Sequence, residues 1–158
     1  MRLPAALLLM VALPVVAQDL DARFSCSTKG SDHGESVIYA DAGEMRLHGD
    51  KIDAFRWESS LFRSTHGFEC SIDDGDGLVA ESREVGAGRE WRVTLSDAQA
   101  ARERRGYEFA RLPSCSIRLE REGDQLSIKP SCPALCGSRG NFTELSVNLK
   151  TGTCQYQE

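Results

Sequence analysis

The sequence predicts an all-β fold, a small antiparallel β-barrel or sandwich with one short helix, stapled by three disulfides. Apolar and polar residues alternate in several short segments, Gly-containing turns separate these segments, and six cysteines follow an apolar N-terminal leader. Alternation with a period of two is the pattern of a strand with one buried face. An even number of cysteines in an exported chain is typical of disulfides.

The first element along the chain is an export signal, predicted over residues 1–17. The charged Arg2 precedes an apolar run that ends in the small residues 15–17. This order is that of a cleaved signal peptide, and the run is shorter than the roughly 20 residues of a membrane span. We therefore expect residues 18–158 to form a single exported β domain, periplasmic or secreted, with no membrane association after cleavage.

The charge balance limits the partners of this domain. The chain has 19 basic and 24 acidic residues, a net charge of −5, and loss of Arg2 with the leader makes it −6. Nucleic-acid binding depends on cationic neutralisation of phosphates, so an acidic domain argues against it. A basic protein partner is electrostatically permitted, because opposite charges speed encounter, and the alternative is that the acidity only serves solubility.

The first predicted hairpin covers residues 45–57. Gly49-Asp50 forms its turn and places Leu47 against Ile52. The apolar phase then shifts by one residue, which indicates either a β-bulge or a strand that is buried on both faces.

Three further strands are predicted, over residues 68–72, 78–84 and 90–95. The acidic segment 73–77 between the first two reads Asp-Asp-Gly-Asp-Gly. It is either a tight turn or a calcium-binding loop, although Leu78 breaks the EF-hand spacing of oxygen ligands.

One helix is predicted over residues 97–105, with Ser96 as its N-cap and Gly106 at its end. Its C-terminal turn carries three arginines, which stabilise the negative end of the helix dipole. They form either a second contact face or a solvated helix end. The three are Arg102, Arg104 and Arg105.

Two hairpins are predicted after the helix. In residues 115–132, a turn at Gly123 places Cys115 and Cys132 on one apolar face, directly opposite or one diagonal apart. In the C-terminal hairpin, a two-residue turn at 151–152 sets Leu149 opposite Cys154.

Six cysteines allow 15 pairings, and the spacing alone does not choose among them. The pairings that we predict are Cys115–Cys132, Cys136–Cys154 and Cys26–Cys70.

No motif for catalysis or for metal binding stands out. The histidines His33, His48 and His66 lack ligand spacing, and neither Gly-x-Ser-x-Gly nor Ser-x-x-Lys occurs. We therefore predict a protein without enzymatic activity, cofactor or metal. Asn141 begins an Asn-x-Thr sequon and is either a glycan acceptor or an unmodified turn residue.

The candidate partner-binding residues lie in one polar loop after an apolar segment. Loops on a rigid β scaffold commonly carry binding residues, although an ordinary hairpin turn has the same composition. The residues are Ser64, Thr65, His66 and Gly67.

Two resemblances add to this prediction. Residues 132–140 resemble a Cys-x-x-x-Cys-Gly-small-Arg-small ending of small exported bacterial proteins, which implies a Gram-negative periplasmic setting.

The overall arrangement of the chain resembles the periplasmic and outer-membrane inhibitors of c-type lysozyme. Those proteins are disulfide-containing β-barrels whose Ser-Gly-x-x-Tyr-type loop enters the lysozyme cleft. The nearest stretch here is 64–68, which lacks the adjacent Ser-Gly pair and the Tyr. The resemblance implies a binding protein that blocks a lysozyme or another peptidoglycan hydrolase through this loop.

Other functions fit the same sequence. An immunity protein against a periplasmic toxin shares every feature above. A glycan hydrolase of the cell envelope requires two carboxylates about 5–10 Å apart in a cleft. An assembly factor of the envelope has no signature in the sequence.

Overall fold

The structure is a computed structural model that describes residues 19–106, 116–131 and 142–157. These residues are mostly β-strand with one short α-helix, which confirms the all-β class. The predictions that fall outside them concern the signal peptide 1–17, Cys115, Cys132, Cys136 and Asn141. The strands are β1 (Leu20–Asp32), β2 (Glu35–His48), β3 (Lys51–Phe62), β4 (Gly67–Asp73), β5 (Leu78–Val85), β6 (Gly88–Leu95), β7 (Ser116–Glu122), β8 (Gln125–Pro130), β9 (Leu145–Asn148) and β10 (Cys154–Tyr156).

The strands form two antiparallel sheets that share one core. Sheet A has the order β1-β2-β3-β4, and sheet B has the order β10-β9-β8-β7-β6-β5. Strands that are consecutive in sequence are therefore neighbours within each sheet. In the described part of the chain, no strand pairing joins the two sheets, so they do not close into a barrel. Of the two predicted arrangements, a barrel and a sandwich of two sheets, the structure therefore has the two separate sheets.

The longest hairpin, β1–β2, is absent from the sequence prediction. Leu20 and Phe24 are buried, but apolar alternation fades beyond Cys26, so the second half of β1 depends on pairing with β2 rather than on burial. The turn has two residues, His33 and Gly34, with φ of 52° and 81°. Two left-handed residues match the right-handed twist of paired strands.

Two predicted hairpins are confirmed. In β2–β3, Leu47 lies opposite Ile52, and the register shifts just before Leu47 as the apolar phase predicts. In β7–β8, Leu119 lies opposite Ile128 around a two-residue turn.

The predicted register of the C-terminal hairpin is wrong by two residues. Val147, and not Leu149, lies opposite Cys154. The turn is longer because the Asn148 side-chain oxygen accepts hydrogen bonds from the N–H groups of Lys150 and Thr151, at 3.0 and 3.2 Å. The apolar face is unchanged, since a shift of two preserves the side-chain alternation.

The helix, α1 (Ala98–Arg104), begins one residue later than predicted. Asp97 is its N-cap, and its carboxylate accepts the Ala100 N–H at 2.9 Å. The predicted cap, Ser96, instead donates its hydroxyl to the Gly77 carbonyl at 2.8 Å. No helix of the described residues has the length and apolar character that crossing a membrane requires.

A disulfide joins Cys26 on β1 to Cys154 on β10, with the two Cα atoms 5.5 Å apart. It crosses from the first strand of sheet A to the last strand of sheet B. The Tyr156 hydroxyl donates to the Cys26 carbonyl at 3.3 Å beside it. This side of the domain is therefore closed by a covalent bond and a hydrogen bond.

The predicted pairings Cys26–Cys70 and Cys136–Cys154 are wrong. Cys70 lies on β4, and two strands separate it from Cys26 across sheet A. At about 4.8 Å per strand, that separation is about twice the reach of a disulfide. Cys154 is already bonded to Cys26. Cys70 is itself disulfide-bonded.

The opposite side of the domain is closed by the β2–β3 turn. Asp50 accepts hydrogen bonds from the Ser82 N–H at 2.7 Å and from the Ser82 hydroxyl at 2.8 Å. The indole of Trp91 donates to the Gly49 carbonyl at 3.1 Å. These contacts bind the turn to β5 and β6 over the buried face of Trp91.

Candidate functional site

The candidate binding residues lie in the β3–β4 loop, residues 63–66, and at the first residue of β4. Ser64 through Gly67 are all exposed. The Arg63 N–H donates to the His66 carbonyl at 2.8 Å and closes the loop into a tight turn. The structure thus places the four predicted residues together on one projecting turn.

Arg63 attaches this loop to the neighbouring β1–β2 turn. Its guanidinium forms an ion pair with Asp32 and lies 3.5 Å from the Glu35 carboxylate. Only 17% of the Arg63 side chain is exposed, so the ion pairs are partly shielded from water. The sequence places Arg63 at the start of the polar loop but does not indicate this anchoring role, because an arginine next to a polar loop has no distinguishing pattern.

Ser64 is held by Glu35 through two hydrogen bonds. Its hydroxyl donates to Glu35 Oε1 at 2.6 Å, and its backbone N–H donates to the same oxygen at 3.3 Å. These bonds lower the pKa of the Glu35 carboxyl, because they stabilise its ionised form. The Ser64 hydroxyl is therefore used to fix the loop.

Thr65 and His66 form the tip of the loop. The Thr65 hydroxyl lies 2.8 Å from His66 Nδ1, within hydrogen-bonding distance. The imidazole also packs edge-on against Phe68, with ring centroids 5.2 Å apart and planes at 90°. His66 thus contacts Thr65 and Phe68, while the Ser64 hydroxyl contacts Glu35. The Ser64 hydroxyl and the His66 imidazole therefore have different partners within the loop.

Exposed apolar side chains flank the loop. Phe62, the residue before it, is 40% exposed, and Phe68, just after it, is 46% exposed. Ile38 lies opposite Phe62 in the β2–β3 register and is also exposed. A polar tip with aromatic flanks has the composition of a protein interface, where aromatic residues are enriched.

The acidic segment after β4 uses its carboxylates within the protein. Asp73 and Asp76 form a reciprocal capping box around a short 3-10 helix (Asp74–Asp76). Asp74 accepts the Phe55 N–H at 2.7 Å. Across the described residues, no group of three acidic, histidine or cysteine side chains is arranged to hold a metal ion. The segment therefore acts as a structural connection between the sheets.

The arginines of α1 contact this segment, and they do not form an open basic face. Arg105 donates to Asp76 at 2.6 Å and to the Ser71 carbonyl at 3.1 Å. Arg104 also pairs with Asp76, while Arg102 is buried. Burial raises the pKa of Asp76, but hydrogen bonds from Arg105 and the Asp73 N–H, together with the charges of Arg105 and Arg104, outweigh it and hold that pKa below its usual value. The second predicted contact face is thus mainly an internal ion-pair cluster.

A buried polar network, which sequence inspection missed, surrounds Asp41 on β2. The carboxylate accepts the Trp57 indole N–H at 2.9 Å and the Tyr156 hydroxyl at 2.7 Å. Burial raises the pKa of Asp41, although hydrogen bonds from Tyr156, Ser59 and Trp57 oppose that effect. Ser59 in turn accepts the Phe142 N–H at 2.8 Å. One feature of the sequence could have indicated this burial. Asp41 lies an even number of positions from the buried apolar residues of β2, so its side chain is on the same face of the strand as theirs.

Comparison of the chain with protein-family models, with curated proteins and with solved structures gives no match.

Proposed function

We propose that this chain is an exported binding protein that blocks a basic peptidoglycan hydrolase, such as a lysozyme, by inserting the β3–β4 loop into its cleft. The observation that supports this most is that the loop is exposed to solvent while contacts with the β1–β2 hairpin hold it in place. Arg63 and Glu35 attach it to the adjacent β1–β2 turn.

The fixed loop reduces the entropic cost of binding. A flexible loop loses about 0.5–1.5 kcal/mol per immobilised side chain on binding. Here Ser64 is already bonded to Glu35, and Thr65 is within hydrogen-bonding distance of His66. Gly67 follows without a side chain, so the backbone at this edge is accessible.

The flanking apolar residues supply the area that a small polar tip lacks. Phe62 and Phe68 lie on either side of the loop and are each about two-fifths exposed. Aromatic residues at the centre of an interface commonly carry much of the binding energy. The net charge of −5 favours encounter with a basic hydrolase.

The test is titration of the purified protein into activity assays of lysozymes of different classes, with His66→Ala and Phe68→Ala as variants. Each variant is expected to raise the half-inhibitory concentration by about 10-fold or more. His48→Ala is a matched control, because His48 is also an exposed histidine and lies at the other end of β2. We expect it to inhibit as the wild type does.

Two results would overturn the proposal. One is the absence of inhibition with every hydrolase at a large molar excess of the protein. The other is unchanged inhibition by both loop variants, which would place the inhibitory surface elsewhere.

A further inference from the structure

The outer face of sheet B carries three cations in a single row. Arg92 on β6 lies directly opposite Arg118 on β7, which lies directly opposite Lys129 on β8. They alternate with buried residues of the same strands, such as Val93 and Leu119, so they point away from the core. Like charges directly opposite each other in a sheet are destabilising. The row therefore opposes folding in the free protein.

Acidic neighbours compensate this row only in part. Glu120 bonds to Lys129 at 2.8 Å and to Arg118 at 3.1 Å. Glu81 lies opposite Arg92 in the register, yet they form no ion pair. In the described residues, no hydrogen bond or ion pair satisfies the Arg92 guanidinium.

The row lies within a groove of about 720 Å³. This volume is in the range of small-molecule sites and is far larger than a phosphate ion needs. Ser116 and Ser131 line the groove, and their hydroxyls lie 3.0 Å apart. Glu81 and Glu144 also line it, so carboxylates are present beside the cations.

We infer that this groove binds a phosphate ester of a small, hydroxyl-rich molecule, such as a sugar phosphate. Neighbouring strands are about 4.8 Å apart, so one phosphate can bridge Arg92 and Arg118, and guanidinium groups bind phosphate oxygens in pairs. The flanking glutamates then accept hydrogen bonds from hydroxyl groups of the ligand.

The same glutamates select against extended polyanions. A nucleic acid or an anionic membrane surface would bring several negative charges against Glu81 and Glu144, and like-charge contact is costly. A compact ligand with one charged group avoids them. This inference is independent of the proposed loop function, because the groove belongs to sheet B and the loop to sheet A.

The experiment is calorimetric titration of the purified protein at low ionic strength with glucose 1-phosphate, inorganic phosphate and glucose as probes. We expect glucose 1-phosphate to bind at least about 10-fold more tightly than either other probe, and the affinity to fall as salt is added. Arg92→Gln and Arg118→Gln should each weaken binding by about 10-fold or more. Arg56→Gln on sheet A, whose partner is Glu58, is the control and should leave binding unchanged.

Thermal unfolding without ligand separates loss of a site from loss of the fold. Because Arg92→Gln relieves a like-charge contact, we expect its melting temperature to equal or exceed that of the wild type. Binding that is unaffected by both variants, or no binding of glucose 1-phosphate, would overturn the inference. Phosphatidylglycerol vesicles form a further arm, and binding to vesicles alone would also overturn it by assigning the phosphate to a lipid.

Discussion

Tyr156, near the end of the chain, donates its phenolic hydrogen at 2.7 Å to the buried carboxylate of Asp41 in the middle of β2. The bond connects β10 of sheet B to sheet A, beside the Cys26–Cys154 disulfide. Burial and the adjacent negative charge of Asp41 both raise the pKa of Tyr156, so its hydroxyl remains a donor at neutral pH.

Tyr156→Phe is expected to lower the free energy of unfolding by about 1–3 kcal/mol at about pH 7, because it leaves the Asp41 carboxylate with one donor fewer. Urea unfolding measures the difference. Tyr39→Phe is the matched control, since the Tyr39 ring lies 6.5 Å from that of Tyr156 and its hydroxyl bonds to no described residue. We expect the control to change stability by less than about 0.5 kcal/mol.

The deficit of Tyr156→Phe is also expected to depend on pH. Burial raises the folded-state pKa of Asp41 above its unfolded value. The resulting stabilisation is complete below the ordinary carboxyl pKa and is lost as pH rises through the folded value. Removing the Tyr156 donor raises the pKa of Asp41 further, so the deficit should be larger at about pH 7 than at about pH 4. An equal deficit at both pH values would contradict this account.

The sequence predicts those strands of this domain in which buried apolar residues alternate with exposed polar ones. Leu47 opposite Ile52 follows from the predicted turn and the alternation, whereas in the β7–β8 hairpin alternation predicts the shared buried face and leaves open the register that sets Leu119 opposite Ile128. The second half of β1 escapes prediction, since its residues after Cys26 gain pairing but little burial. Long-range pairing of this kind has no local signal in a single sequence.

The same limit applies to the candidate site. The exposed loop Ser64–Gly67 is predictable from its composition, but its attachment by Arg63 to the β1–β2 turn depends on that unpredicted hairpin. The cysteine pairing fails for a related reason. Which strands form the edges of the two sheets decides that Cys26 meets Cys154, and this order is a property of the assembled sheets.

Removal of the Cys26–Cys154 disulfide is expected to lower the free energy of unfolding by about 2–5 kcal/mol. The cysteines are 128 residues apart, so the bond restricts most of the unfolded chain. The measurement is urea unfolding of the double variant Cys26→Ala, Cys154→Ala. Ser25→Ala on the exposed side of β1 controls for the substitution of a small side chain on this strand and should have little effect.

Proteolytic digestion without reduction tests the pairing itself. It should release a peptide with Cys26 joined to Cys154. Recovery of Cys26 in a disulfide with any other cysteine would contradict the strand order described above.

The ion-pair cluster at Asp76 predicts a graded response to substitution. Asp76→Ala should cost about 3–5 kcal/mol, because it leaves the largely buried Arg105 without its carboxylate partner. Arg105→Ala should cost less, because the buried Asp76 still pairs with Arg104. Arg104→Ala should have the smallest effect of the three variants, since 47% of that side chain is exposed and water screens its ion pair. Equal effects of the two arginine variants would mean that burial does not set the strength of these pairs.

Acid should weaken this cluster. The folded-state pKa of Asp76 lies below its ordinary value, so its stabilisation is present above the unfolded pKa and is lost as pH falls through the folded one. As pH falls through the folded-state pKa of Asp76, the free energy of unfolding of the wild type should therefore decrease more than that of Asp76→Ala. Unfolding measured across the acid range for both proteins gives the difference, and parallel curves would contradict the assignment.

Arg63→Gln tests whether attachment of the β3–β4 loop matters for binding. The variant removes the ion pairs with Asp32 and Glu35, so the loop should become more mobile while the core stays intact. We expect backbone N–H groups of residues 64–67 to exchange with deuterium faster and the half-inhibitory concentration to rise by about 10-fold. Arg63→Lys should restore part of the effect, because it retains the charge.

The matched control is Arg23→Gln, which removes a cross-strand pair with Glu44 at 3.1 Å on the exposed face of sheet A. Its side chain is largely exposed, so we expect a change in stability of less than about 1 kcal/mol and no change in loop exchange. If Arg63→Gln leaves the exchange rates of residues 64–67 equal to those of this control, the loop is held by its own backbone turn. In that case the ion pairs with Asp32 and Glu35 are not what prepares it for a partner.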